Sequence, residues 1–137
     1  MTRPLNTILL IDDDETTNYL NHRLLSRMQP NANIQVVTNG EEALEYLQKA
    51  FAGDSNHPAP NLIFVDIKMS VMDGFEFLED YQHFPDYQKS QTTMLMLTSS
   101  ASFYDLEKLK KYPDVRKHYS KPLTEADVRE IVGEYFS

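Results

Sequence analysis

Short apolar runs alternate five times with segments of helical period along this chain, and no other feature restricts its fold as much. The runs are Thr7 to Ile11, Ile34 to Thr38, Leu62 to Asp66, Met94 to Thr98 and a weaker fifth over His118 to Ser120. Such brief stretches of Val, Ile, Leu and Met predict strands, several of them apolar enough to be buried on both faces. Between them the spacing turns helical. Leu20, Leu24, Leu25 and Met28 mark one face of a first helix, and Ala43, Leu44, Leu47 and Phe51 mark a second after the turn Asn39-Gly40. Phe75, Leu78 and Tyr81 suggest a third, Phe103, Leu106 and Leu109 a shorter fourth, and Val128, Ile131, Val132 and Tyr135 a fifth. Thr124 with Asp127 three residues on predicts the cap that starts this last helix. Parallel strands need crossovers, and right-handed crossovers put helices on both faces of a sheet. The expected fold class is α/β, a doubly wound five-stranded parallel sheet with five helices in a single domain over 1–137, its core spanning about 6–136. Lys49 to Asn61 reads as a long surface connection.

Ligands of such sheets bind beyond the carboxyl ends of the strands. The chemistry-bearing residues fall there: Asp12, Asp13 and Asp14 after the first strand, Asp66 after the third, Thr98 at the end of the fourth and Lys121 after the fifth. Crowded carboxylates repel, and without a cation some must take up protons, at about 1.4 kcal/mol per pKa unit. A divalent metal relieves that repulsion. Taken singly, Asp13 or Asp14 could be a helix cap, Asp66 a turn residue, Thr98 part of a strand-to-helix cap and Lys121 a solvated lysine. Their joint placement at one sheet edge favours a site. His22, His57 and His83 lack ligand-like spacing and read as surface residues.

A net charge of −8 argues against a nucleic-acid backbone or an anionic membrane as the main partner, since both reward clustered Lys and Arg. The absence of Cys excludes a disulfide framework, a thiolate zinc site and thiol catalysis. No run approaches the roughly 20 apolar residues of a membrane span, and no signal-peptide pattern precedes the first strand. A soluble cytoplasmic protein is expected.

The ordered pieces resemble the receiver domain of two-component response regulators, a CheY-like family. They are Ile8-Leu9-Leu10-Ile11-Asp12-Asp13-Asp14, Thr38-Asn39-Gly40-Glu41-Glu42-Ala43, Leu62-Ile63-Phe64-Val65-Asp66 with Met69 and Met72-Asp73-Gly74, Met94-Leu95-Met96-Leu97-Thr98, and Lys121-Pro122. The resemblance covers almost the whole chain and implies a flavodoxin-like fold with strand order 2-1-3-4-5, here as a stand-alone receiver without an output domain. It implies Asp66 as the phosphoacceptor, taking a phosphoryl group from a phosphohistidine of a histidine kinase or a histidine phosphotransfer protein. It also implies Mg²⁺, with Mn²⁺ as an alternative, bound by Asp12, Asp13, Asp66 and the backbone carbonyl of Lys68. Lys121 would meet the phosphoryl oxygens as a cation and Thr98 as a hydroxyl donor. Such a protein catalyses only its own phosphorylation and dephosphorylation and is not a turnover enzyme. Its downstream target is a protein the sequence does not name, and it is a monomer by default with a phosphorylation-dependent dimer as the alternative.

Several residues depart from the family pattern. His118 occupies the switch position three before Lys121, where Tyr or Phe is usual, and is expected to change exposure with phosphorylation alongside Thr98. Ser70 stands where Pro usually follows Met69, which predicts a looser loop after Asp66. Lys68 and Ser100 occupy the positions expected to set phosphoryl lifetime. The Lys121-Pro122 bond falls at a family site that is often cis. Two other functions compete: a degenerate receiver acting as a phosphorylation-independent interaction module, and an aspartate-based phosphatase. The second expects an Asp two residues after the nucleophile, where this chain has Lys68.

Overall fold

The structure, a computed structural model, describes residues 4–99 and 102–136. The continuous apolar runs take the middle of the sheet. β1 (Thr7–Ile11), β3 (Leu62–Val65) and β4 (Thr93–Thr98) are buried along their whole length. The more polar β2 (Asn33–Val37) and β5 (Val115–Ser120) form the edges. All pairings are parallel, in the order β2-β1-β3-β4-β5, with Ile11 opposite Val65 and Thr98 opposite Ser120. This is the doubly wound order that the resemblance implied, and Asp12 and Asp66 leave adjacent strands at the same level because the registers of β1 and β3 match.

Alternation along the strands divides the interior into two layers. Leu9, Ile11, Ile63, Val65, Met94 and Met96 face α2 (Gly40–Phe51), α3 (Gly74–Tyr81) and α5 (Phe103–Leu109). Ile8, Leu10, Leu62, Phe64, Leu95 and Leu97 face α1 (Glu15–Met28) and α6 (Glu125–Tyr135). Thr124 and Asp127 form the expected reciprocal cap of α6. Among the described residues no helix is long and apolar enough to cross a membrane.

Among the described residues there are six helices, not five. The additional α4 (Asp86–Lys89) is one turn with no buried residue, so it has no apolar periodicity to reveal it. It is held by Lys89, whose ammonium donates to the Gln82 carbonyl oxygen at 3.0 Å and reaches the Asp114 carboxylate at 3.3 Å. β5 extends three residues further toward the N-terminus than the apolar pattern suggested, because an edge strand tolerates polar side chains on its open faces; its pairing shifts between Met94 and Met96. Leu20 is 43% exposed, outside the inner face assigned to it; Thr17, Asn18, Asn21 and Leu25 take that face. The connection expected over Lys49 to Asn61 begins at residue 52, since α2 continues to Phe51. It is tied down by the Tyr46 hydroxyl donating to the Pro58 carbonyl oxygen at 2.6 Å and by Asn61 Oδ1 accepting from the Asn6 and Thr7 amides. His57, expected at the surface, is half-buried there against Tyr46 and 3.0 Å from Asp54.

Candidate functional site at the carboxyl edge

Backbone hydrogen bonds carry the sheet pairing into the site: Asp12 N–H donates to Val37 O at 3.1 Å, and Asp66 N–H donates to Ile11 O at 3.0 Å. Both carboxylates are therefore set by strand ends. They are also inside the protein, with Asp12 4% and Asp66 5% exposed. Lys121 enters between them from the end of β5, its Nζ 2.6 Å from Asp12 Oδ2 and 3.1 Å from Asp66 Oδ2. Its own amide donates to Thr98 O at 3.0 Å, and the following bond to Pro122 is cis. Thr98 is buried at the end of β4.

The titration behaviour follows from this geometry. Burial pushes the Asp66 carboxyl above the usual carboxylate range and the neighbouring Asp12 charge adds to this, while Lys121 opposes both. Burial alone would lower Lys121, but its bonds to Asp12 and Asp66 prevail and hold its ammonium above the ordinary lysine value.

Asp13 is exposed at the rim, where its Oδ2 accepts from the Ser70 amide at 3.0 Å. A proline at position 70 has no N–H to give, so the serine ties the loop after Asp66 to the acidic cluster by a bond the usual residue cannot make. That bond is one restraint the loop gains in place of the proline's fixed φ. One carboxylate oxygen each from Asp12, Asp13 and Asp66 lie within 4.8 Å of one another. Asp14 has the other role weighed for it: it caps α1, accepting from the Thr16 amide at 3.2 Å and the Thr17 hydroxyl at 2.6 Å, and the Thr17 bond holds its carboxyl below the usual range.

The loop from Asp66 to α3 is compressed. Val71 has φ 67° where Met72 N–H turns back to Ser70 O at 2.8 Å, a left-handed backbone rarely adopted by a β-branched residue. Gly74 N–H donates to Ile67 O at 2.8 Å, and a methyl group on Gly74 would collide with the carbonyl oxygen of Asp66 and come within 2.9 Å of Ile67 Cα. Neither neighbour is a flexible side chain. Gly74→Ala is expected to destabilise the protein by about 1–3 kcal/mol and to displace Asp66. Urea unfolding checks the first effect; unchanged stability would show that the loop yields without cost.

Lys68 and His118 are exposed, on the Asp66 loop and on β5 respectively, and neither joins the Asp12, Asp66 and Lys121 cluster through a hydrogen bond or ion pair. Ser100 lies outside the described residues. Asn18 and Asn21, which are not among the residues expected on the apolar face, are buried on the inner face of α1. They stand seven and four residues before Leu25, the spacing of one helix face, but an asparagine there carries no sign of whether it points inward.

A sequence profile of the response regulator receiver domain matches residues 8–133. The chain belongs to the response regulator receiver family. Among solved structures, this receiver is similar to a two-component response regulator from Cytophaga hutchinsonii, with a TM-score of 0.83 and 29% identity over 96% of this chain and 97% of that one. It is 28% identical to the hybrid signal transduction histidine kinase L of Dictyostelium discoideum, over 96% of its own length and 7% of the kinase. It is 27% identical to the response regulator Rcp1 of Synechocystis over 69% of its own length and 63% of Rcp1. The receiver thus spans less than two thirds of each of these two relatives. As a receiver it is a component of two-component signalling, a family whose members obtain phosphoryl groups from histidine kinases or phosphotransfer proteins.

Proposed function

We propose that this receiver accepts a phosphoryl group on Asp66 from a phosphohistidine of a histidine kinase or phosphotransfer protein, in a magnesium-dependent reaction. The observation that supports this most is the convergence of buried Asp12, Asp66 and Lys121 at one strand edge. An Asp66 oxygen attacks phosphorus, the bond from phosphorus to the donor's imidazole nitrogen breaks, and its electron pair stays with the ring. Attack by water on the resulting aspartyl phosphate would release inorganic phosphate and restore Asp66. A carboxylate needs no base to become a nucleophile. Lys121, already between the two acids, is placed to follow the negative charge onto the phosphoryl oxygens, and Thr98 brings a hydroxyl to the same edge.

The donor set fits a hard divalent cation. Three carboxylates approach closely without a thiolate or imidazole, and Asp66 is held in an environment that resists its charge. Asp12, Asp13, Asp66 and the Lys68 carbonyl would hold Mg²⁺ or Mn²⁺, which when bound neutralises the acids and the incoming phosphoryl oxygens.

An interaction module without phosphorylation would have no use for a lysine held between two buried acids, and Lys68 in place of a second Asp disfavours an aspartate-based phosphatase. Intact mass after incubation with acetyl phosphate tests the proposal. One phosphoryl adduct that requires Mg²⁺ or Mn²⁺ is expected, and no adduct under any metal condition would favour the interaction module.

A further inference from the structure

The inner face of α1 carries amides where its neighbours are core hydrophobics. Asn18 is 8% exposed and Asn21 2%, and both lie against the layer that contains Leu10, Phe64, Leu97 and Leu123. Each makes one buried hydrogen bond, and the two bonds go to opposite sides of the acid and lysine cluster. Asn18 Nδ2 donates to the backbone carbonyl oxygen of Asp12 at 2.8 Å. Asn21 Oδ1 accepts from the Leu123 amide at 3.0 Å, two residues after Lys121. A three-residue spacing puts both side chains on one helix face, so a single rigid helix holds the turn that carries Asp12 and the segment that carries Lys121.

Burial of apolar surface does not account for this choice. Among the described residues Asn18 Oδ1 is buried with no hydrogen-bond partner, the kind of group that folded proteins rarely retain without another reason. A cavity of about 10 Å³ lies between Asn18, Asn21, Asp12 and Asp66, so the amides border the space beneath the acids. Apolar side chains at these positions would extend the adjoining core and leave the Leu123 amide unpaired.

We propose that Asn18 and Asn21 are positioning residues for phosphoryl transfer, using α1 as a spacer that fixes the Lys121 segment relative to Asp12. The inference rests on the phosphoacceptor reading and deepens it. Neither asparagine touches the phosphoryl group; Asn18 acts through the backbone carbonyl of Asp12 and Asn21 through the Leu123 amide, two residues after Lys121.

The test compares full-length wild type with Asn21→Leu, and with Asn21→Ala should the leucine variant fold poorly. Magnesium-dependent labelling is measured over a range of acetyl phosphate concentrations, together with thermal unfolding and hydrogen exchange at the Leu123 amide. The expected result for a variant that remains folded is a maximal labelling rate at least tenfold lower, half-saturation within about twofold of wild type, and faster exchange at Leu123. A purely structural role would change the folded fraction and leave the rate of the folded molecules alone. Wild-type labelling kinetics in a folded variant would overturn the inference and leave the phosphoacceptor reading standing. Failure of the wild type itself to label would overturn both.

Discussion

Asp66→Asn is expected to fold, to take up no phosphoryl group from acetyl phosphate, and to unfold at a higher temperature than wild type in metal-free buffer near neutral pH. Loss of labelling follows from loss of the nucleophilic carboxylate. The stability gain follows from the site's electrostatics. Burial and the Asp12 charge raise the Asp66 pKa in the folded state, so the folded chain holds that proton better than the unfolded one. Its contribution is complete below the ordinary carboxylate range and is lost as pH rises through the raised folded value. Asn does not titrate and escapes that loss. The gap between variant and wild type should therefore close as pH falls through the same interval. Magnesium should reverse the order, since a ligand at 100 times its Kd stabilises by about 2.7 kcal/mol and the variant lacks one of the acids. Thermal melts across pH, with and without Mg²⁺, check this; a metal-free wild type more stable than Asp66→Asn at neutral pH would contradict it.

Lys121→Met should have the opposite effect on the metal-free protein. The ammonium is the group that reconciles two buried carboxylates, at 2.6 Å and 3.1 Å, and an apolar side chain leaves both facing each other. Removing one partner from a buried ionic cluster costs about 3–5 kcal/mol. Protonation of Asp66 would relieve part of this, so the loss should shrink as pH falls, and added Mg²⁺ should recover much of it by replacing the missing positive charge. Phosphorylation should not recover so fully. Losing one donor aimed at the charge that develops during transfer costs on the order of 100-fold in rate. Denaturant unfolding with and without Mg²⁺, paired with labelling rates, separates the two effects. Equal stability of the variant and wild type without metal would mean that Lys121 does not hold the acids.

The parts of the fold legible in the sequence are those governed by burial on both sides. Ile8 to Ile11 and Leu62 to Val65 could only be central strands, and their ends place Asp12 and Asp66 side by side. β5 was harder to read because Arg116, Lys117 and His118 face solvent on an edge strand, where alternation need not be apolar. α4 left no pattern because one turn without a buried residue has no face to mark. At the site, acids and lysine were visible through their positions after strands. Asn18 and Asn21 were not, since an asparagine in a helix carries no sign of whether it points inward, and the apolar pattern drew attention to Leu20 instead. The bond from Ser70 to Asp13 was missed for a different reason: a residue that departs from the usual proline was weighed for the restriction it loses, while its gain, one N–H, depends on where the loop passes.

The measurement that goes most directly to Asp66 is reduction of the phosphorylated protein with borohydride, followed by peptide mapping. An acyl phosphate is reduced to an alcohol, whereas free carboxylates and phosphate esters are not. Homoserine in place of Asp66, formed only after Mg²⁺-dependent labelling, is the predicted result. Label that survives borohydride, or homoserine at any other aspartate, would contradict the assignment of Asp66 as the phosphoacceptor.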